Sequence, residues 1–244
     1  MSDPPTPPAV QTAAKPPIVF KCLGMKPDVC LNVLGQDYHA HSILLKLLSA
    51  FFWTFLDSAD KETSVMQASE AKLTSKFRYE WITKVDEDGS WHMISAPSTH
   101  QEPSEVSAVK NGPETQQKAF GNFLCAMHFK PCELEECEEF ILMTELADHY
   151  RALRILSQSL NGALPRQLRL AHVYDVPAYA KELFEVAIKL RNALLLQECL
   201  IYLVSPWHRP LYRSLLDPKF KKIAHVGYLS VAEKIADFQT EIAN

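Results

Sequence analysis

Several groupings bring chemically able residues close together in sequence. His39 and His41 stand two apart, a spacing that puts two imidazoles on one face of a strand, where a metal ion accepts nitrogen ligands. No third ligand is evident beside them. His128, Cys132 and Cys137 are also near one another, but their spacing fits no standard zinc pattern, and Pro131 breaks the helix between them. The expectation is therefore no metal and no cofactor. Asp86-Glu-Asp-Gly-Ser90 has the acidity of a cation loop without the twelve-residue oxygen pattern and its terminal bidentate Glu, and it reads as a hairpin turn. Asp28, His41, Ser42 and Ser49 hold the residue types of a nucleophilic triad. The chain has no Gly-x-Ser-x-Gly elbow, and its seven glycines stand singly, so there is no phosphate-cradling loop. No catalytic residues are assigned, and the expectation is that the protein is not an enzyme. Lys219, Lys221 and Lys222, ahead of His225, read as a solvated helix face, with phosphate binding or nuclear import as the alternative.

The elements that must position these residues follow from periodicity. Val29, Leu31 and Val33 alternate with Cys30 and Asn32, the pattern of a half-buried strand. Gly35 and Asp37 mark a turn, and Tyr38 and Ala40 continue as a returning strand. Ser42 is placed to cap a helix whose apolar face is Leu44, Leu47 and Leu48. Ser49 caps a second, short helix carrying Phe51, Phe52 and Phe55. Phe77, Tyr79 and Trp81 share one face of a later strand, and Trp91 lies on its return, giving an aromatic β-hairpin over 76–95. Phe120, Phe123, Leu124 and Met127 make the stripe of a helix that begins at Glu114 and ends at Pro131. A further helix is predicted over 133–150, acidic at its start as the helix dipole favours, and another through Leu153, Leu156 and Leu160 to Asn161-Gly162. Helical spacing resumes over 179–190, 192–204 and 223–242, the last with a bend near Gly227. Pro177 suits a first helical turn.

Bulk composition fits this outline. The 244 residues are 47% hydrophobic, enough for a substantial core, and 25 basic against 29 acidic residues give a formal charge of −4. That balance argues against binding nucleic acid by bulk electrostatics. No apolar run reaches the roughly 18 residues that cross a bilayer, and the first residues lack a basic stretch followed by an apolar core. The six cysteines are scattered, which fits reduced thiols and a nuclear or cytoplasmic location. Residues 1–17 hold six prolines and read as a solvated tail, with Pro4 and Pro7 at PxxP spacing. The polar stretch 57–75 and the Ser/Pro/Glu-rich stretch 95–113 read as an insertion around the hairpin.

Two runs of residues resemble the BTB/POZ family. The first is Asp28-Val29, Gly35, His41, then Ser49 with Phe51, Phe52 and Phe55. The second is Ala119-Phe120 with Leu124, Leu146-Ala147-Asp148-His149-Tyr150, and the Leu-rich segment 153–160. Phe129-Lys-Pro stands where the family usually has Tyr-Thr-Gly. The resemblance covers 28–162, and the run from Glu198 to Trp207 is similar to segments following the BTB core in filamentous-fungal members. It implies an α+β fold, with a small sheet flanked by a helical bundle. The domain is expected over 18–162, with the insertion at 57–113 and a helical extension over 163–244. Asp28, Gly35, His41, Ser49, Phe52, Ala147 and Tyr150 are its expected structural motif, with His41 joining strand to helix. The function it implies is a non-enzymatic interaction module, either a homo-oligomeric scaffold or transcription-linked adaptor, or a substrate adaptor of a cullin-type ubiquitin ligase. For a homodimer the expected interface is Ile18, Val19, Phe20, Leu31 and Leu44. For further partners the expected contacts are Phe55, Glu62, Tyr79, Trp81 and Trp91. The resemblance aligns Asp60 and Glu62 with the cullin-contacting motif. Asp60 replaces its apolar residue, and desolvating a carboxylate without a paired cation is unfavourable, which favours the scaffold.

Overall fold

The computed structural model describes residues 15–57, 76–96, 109–160, 175–205 and 207–243. The cullin-motif positions Asp60 and Glu62, the Pro4–Pro7 spacing and the Asn161-Gly162 stop lie outside them, as do most of 57–75 and 95–113. The fold class is α+β, a five-stranded mixed sheet with helices. The chain divides into two compact units, Met1–Ser42 with Glu62–Pro113 and Ile43–Lys61 with Glu114–Asn244.

The first unit holds the sheet, in the order β1-β3-β2-β4-β5. Its strands are β1 (Ile18–Val19), β2 (Val29–Val33), β3 (Gln36–Ala40), β4 (Tyr79–Val85) and β5 (Trp91–Ser95). β2 and β3 form an antiparallel hairpin in which Val33 faces Gln36, so Leu34-Gly35 is the whole turn. Both turn residues have positive φ, 50° and 90°, the geometry that matches the twist of a two-residue hairpin. A left-handed Leu is costly. Two bonds hold it: Leu34 N donates to Thr83 Oγ1 at 3.1 Å, and Gly35 N donates to Asn32 Oδ1 at 3.2 Å. Asp37, expected in the turn, is instead a β3 residue. The predicted alternation is present, with Val29, Leu31 and Val33 buried and Cys30 and Asn32 half-buried.

The aromatic hairpin is β4 and β5, antiparallel from Val85 opposite Trp91 to Trp81 opposite Ser95. Its turn ties its own carboxylates. Ser90 donates through N and Oγ to Asp88 Oδ1, and Asp86 N donates to Ser90 O. Those Ser90 bonds hold the Asp88 carboxyl below the usual carboxylate range. Phe77 lies before β4, with its ring 4.5 Å from the ring of His39.

The second unit is helical: α1 (Ser42–Leu48), α2 (Ala50–Phe55), α3 (Pro113–Met127), α4 (Cys137–His149) and α5 (Leu153–Leu160), the first residues of α1 and α3 belonging to the first unit. It continues with α6 (Asp175–Ala178), α7 (Ala180–Leu190), α8 (Ala193–Val204), a 3-10 turn (Leu211–Ser214) and α9 (Pro218–Ala243). α4 starts four residues later than the acidic run predicts. The Asn122 side chain engages the backbone of Glu133 from both sides, donating to its carbonyl at 2.7 Å and accepting from its N–H at 3.0 Å, which holds that residue extended. α9 runs unbroken through Gly227. A Cβ there would sit 3.4 Å from Leu200 Cδ2, so the glycine serves the close approach of α8 and α9 instead of a bend.

Three helices end on left-handed residues that are not glycine: Phe129 after α3, Arg151 after α4 and Arg191 after α7. In each, the next N–H reaches back five residues, Lys130 to Cys125 O at 2.9 Å, Ala152 to Ala147 O at 2.7 Å and Asn192 to Ala187 O at 2.9 Å. These bonds satisfy carbonyls that the helix end leaves open.

Candidate functional site

The motif residues are placed by hydrogen bonds. Asp28 accepts from Ser42 N at 2.7 Å and from Ser42 Oγ at 2.5 Å, which ties the start of β2 to the last residue of the first unit's first segment. Ser42 thus donates to a carboxylate, and Asp28 does the capping assigned to Ser42. His41 is buried, and its Nε2 donates to Phe20 O at 2.9 Å, so Nε2 carries the proton. That bond commits His41 Nε2 to a backbone carbonyl.

Ser49 caps α2, accepting from Phe52 N at 3.1 Å while its hydroxyl donates to Tyr150 O at 2.5 Å. Phe52 stacks on Tyr150, with centroids 5.2 Å apart and planes 3° apart. Phe123 stacks on Tyr150 at 5.6 Å, and Phe51 meets its edge at 5.0 Å. Ala147 is buried beside this cluster's helix end and supplies the carbonyl for Ala152. Tyr150 Oη has no hydrogen-bond partner among the described residues, and burial pushes its phenol pKa well up.

The expected dimer residues separate into two groups. Ile18 and Val19 are exposed, but Phe20 and Leu31 are buried within this chain and are unavailable to a partner. Leu44 is half-buried, and the inward residue of α1 is Leu45, fully buried. The helix points Ile43 and Leu47, one turn apart, to solvent at 59% and 72% exposure. Among the expected partner contacts, Tyr79 and Trp81 are buried and Trp91 is half-buried, so the hairpin spends its aromatics on the core. Phe55 is 46% exposed and its neighbour Trp53, which the sequence reading passed over, 69%. The signal for Trp53 was available: the residue following a buried Phe52 on a one-sided helix points outward.

His128 is buried and its Nδ1 donates to Leu124 O at 2.8 Å; the Cys132 thiol lies 3.6 Å from Asn122 O. All six cysteines are free thiols. Burial pushes Cys132 up to about 11 and Cys199 to about 12, which leaves both thiols protonated and poorly nucleophilic. An open cleft of about 900 Å³ is lined by Glu145, Asp148, Arg151, Arg154 and Lys189, with Lys189 Nζ 3.6 Å from Asp148 Oδ2. No helix among the described residues is long and apolar enough to cross a membrane.

The chain matches no family model, no curated protein and no solved structure. The BTB/POZ resemblance rests on the motif residues themselves.

Proposed function

We propose that this chain is a non-enzymatic protein–protein interaction module that self-associates through the outward residues of α1 and α2. The observation that carries the reading is the exposure of Ile43, Leu47, Trp53 and Phe55 on two adjacent short helices. Large apolar side chains grouped at a surface mark contact sites, and buried aromatics dominate the energy of such contacts. Covering what each of these side chains still exposes stabilises an assembly by roughly 1–2 kcal/mol before association costs. The motif residues that resemble BTB/POZ domains support the same class, since those modules typically self-associate and recruit further proteins. The interface moves from Phe20 and Leu31 to Ile43, Leu47, Trp53 and Phe55. The ligase-adaptor alternative rests on Glu62, outside the described residues, and nothing in the described surface favours it.

Light scattering behind a sizing column tests the reading. The expected result is a dimer mass at micromolar concentration, lost in a Leu47→Glu, Trp53→Glu double variant that keeps the wild-type circular-dichroism spectrum because both sites are solvated. A wild-type monomer overturns self-association. A dimer untouched by the double variant overturns this surface. Co-purification with a cullin that depends on Glu62 would replace the scaffold with the ligase adaptor.

A further inference from the structure

The polar face of the sheet in the first unit brings together three metal-ligating side chains that sequence spacing keeps apart. Cys30 on β2 lies directly opposite His39 on β3. Asp37, two residues before His39, shares its face. The Cys30 thiol, a His39 ring nitrogen and an Asp37 carboxylate oxygen all lie within 4.8 Å of one another, half-buried. A tetrahedral zinc with bonds of about 2.0–2.3 Å needs ligand atoms roughly 3.3–3.8 Å apart, within reach of small side-chain rotations from this arrangement. Glu80 on β4 is the register partner of Cys30 on its other side, on the same face.

The surroundings orient the set. Asn32 Nδ2 donates to Asp37 Oδ1 at 2.6 Å, which fixes the carboxylate and leaves Oδ2 to turn toward Cys30 and His39. The Phe77 ring packs on the His39 ring and limits its rotation. Burial, with Lys76 adding, lowers the His39 pKa, so the imidazole is neutral at pH 7 and offers a lone pair. The thiol is the opposing factor: burial, then Asp37 and Glu80, push Cys30 up to about 12. A dication among these carboxylates reverses that balance, and its binding releases the thiol proton to solvent.

We propose that Cys30, Asp37 and His39 form a binding site for a thiolate-accepting divalent cation of the zinc class, with Glu80 or water in the fourth position. One sulfur, one nitrogen and one carboxylate oxygen suit zinc and its spectroscopic stand-in cobalt, and disfavour magnesium and calcium, which take oxygen ligands. A bound ion would pin β2 to β3, and with Glu80 to β4. The site is independent of the self-association reading.

The test is titration of the purified full chain with Co²⁺, read by the thiolate-to-cobalt charge-transfer band, then displacement by Zn²⁺. The expected result is saturation at one Co²⁺ per chain, bleaching by Zn²⁺, and a raised thermal midpoint with Zn²⁺. Cys30→Ser and His39→Asn should abolish the band, while Cys22→Ser and Cys132→Ser keep it. Asn32→Asp, which keeps an acceptor for Gly35 N but removes the donor to Asp37, should weaken cobalt affinity by about 10–100-fold. Absence of a thiolate band in excess Co²⁺, or a band that survives Cys30→Ser, overturns the proposal. If Cys30→Ser does not fold, protection of Cys30 from a thiol reagent by Zn²⁺ in the wild-type chain decides, and equal labelling with and without Zn²⁺ overturns it.

Discussion

Two aromatic clusters in the helical unit are built on opposite terms. Around Tyr150, the rings of Phe52, Phe120 and Phe123 are almost wholly out of water, and the one phenol among them has no partner for its hydroxyl in the described residues. Around Tyr228, the Trp207 ring stacks at 4.5 Å and Tyr212 and His225 complete the group, with Trp207 and His225 exposed. Here one pair of polar tips is bonded: Tyr212 Oη lies 2.8 Å from His225 Nδ1. The first cluster draws its stability from apolar burial and tolerates an unmet polar atom. The second covers less surface and keeps its hydrogen bond. An aromatic run in a sequence therefore does not reveal which kind of site it builds.

The contrast can be broken or sharpened by substitution. Phe52→Ala opens a cavity against Tyr150 and is expected to cost about 3–5 kcal/mol, read as a lower urea midpoint or insoluble protein. A loss under about 1 kcal/mol would mean the cluster is not a packed core. Ser49→Ala removes the cap of α2 and strands the Tyr150 carbonyl, with an expected cost of about 1–3 kcal/mol in the same assay. Tyr212→Phe deletes the bond to His225 and should cost about 0.5–1.5 kcal/mol, with the His225 imidazole resonances shifting by NMR. An unchanged midpoint would put the second cluster on the same terms as the first. Tyr150→Phe is the smallest and most diagnostic change. It should leave stability unchanged or raise it by up to about 1 kcal/mol, because a buried hydroxyl without a partner is a cost removed. A clear loss would show that Oη does bond.

Strand alternation in 29–33, the β4–β5 hairpin and the stripe of α3 were legible because each follows a single local period. The cation site was not, and the reason is register. Reading the turn over Gly35 and Asp37 takes Asp37 out of the strand and leaves His39 opposite the wrong residue. The two-residue turn at Leu34-Gly35 puts Cys30 against His39 and Asn32 against Asp37. Nothing local predicts a leucine in that turn, since it is held by Thr83, 49 residues away. The helix ends at Phe129, Arg151 and Arg191 escaped for a related reason. Sequence rules look for glycine there, and the strain of a bulkier left-handed residue is carried by the return bond and packing. The apolar face of α1, read as Leu44, Leu47 and Leu48, was mis-phased: Leu45 is the buried residue and Leu47 faces solvent, because a seven-residue helix with five apolar residues offers no contrast to set its phase.

The short first strand bears on how this chain behaves in a crowded solution. β1 closes one side of the sheet after only two residues, directly after Pro16 and Pro17, which have no N–H to give. Gln36 Nε2 already donates to the Pro16 carbonyl at 3.0 Å. A foreign strand arriving along this side meets too few open donors and acceptors to extend the ladder. On this side, such a margin blunts the edge-to-edge growth from which fibres start.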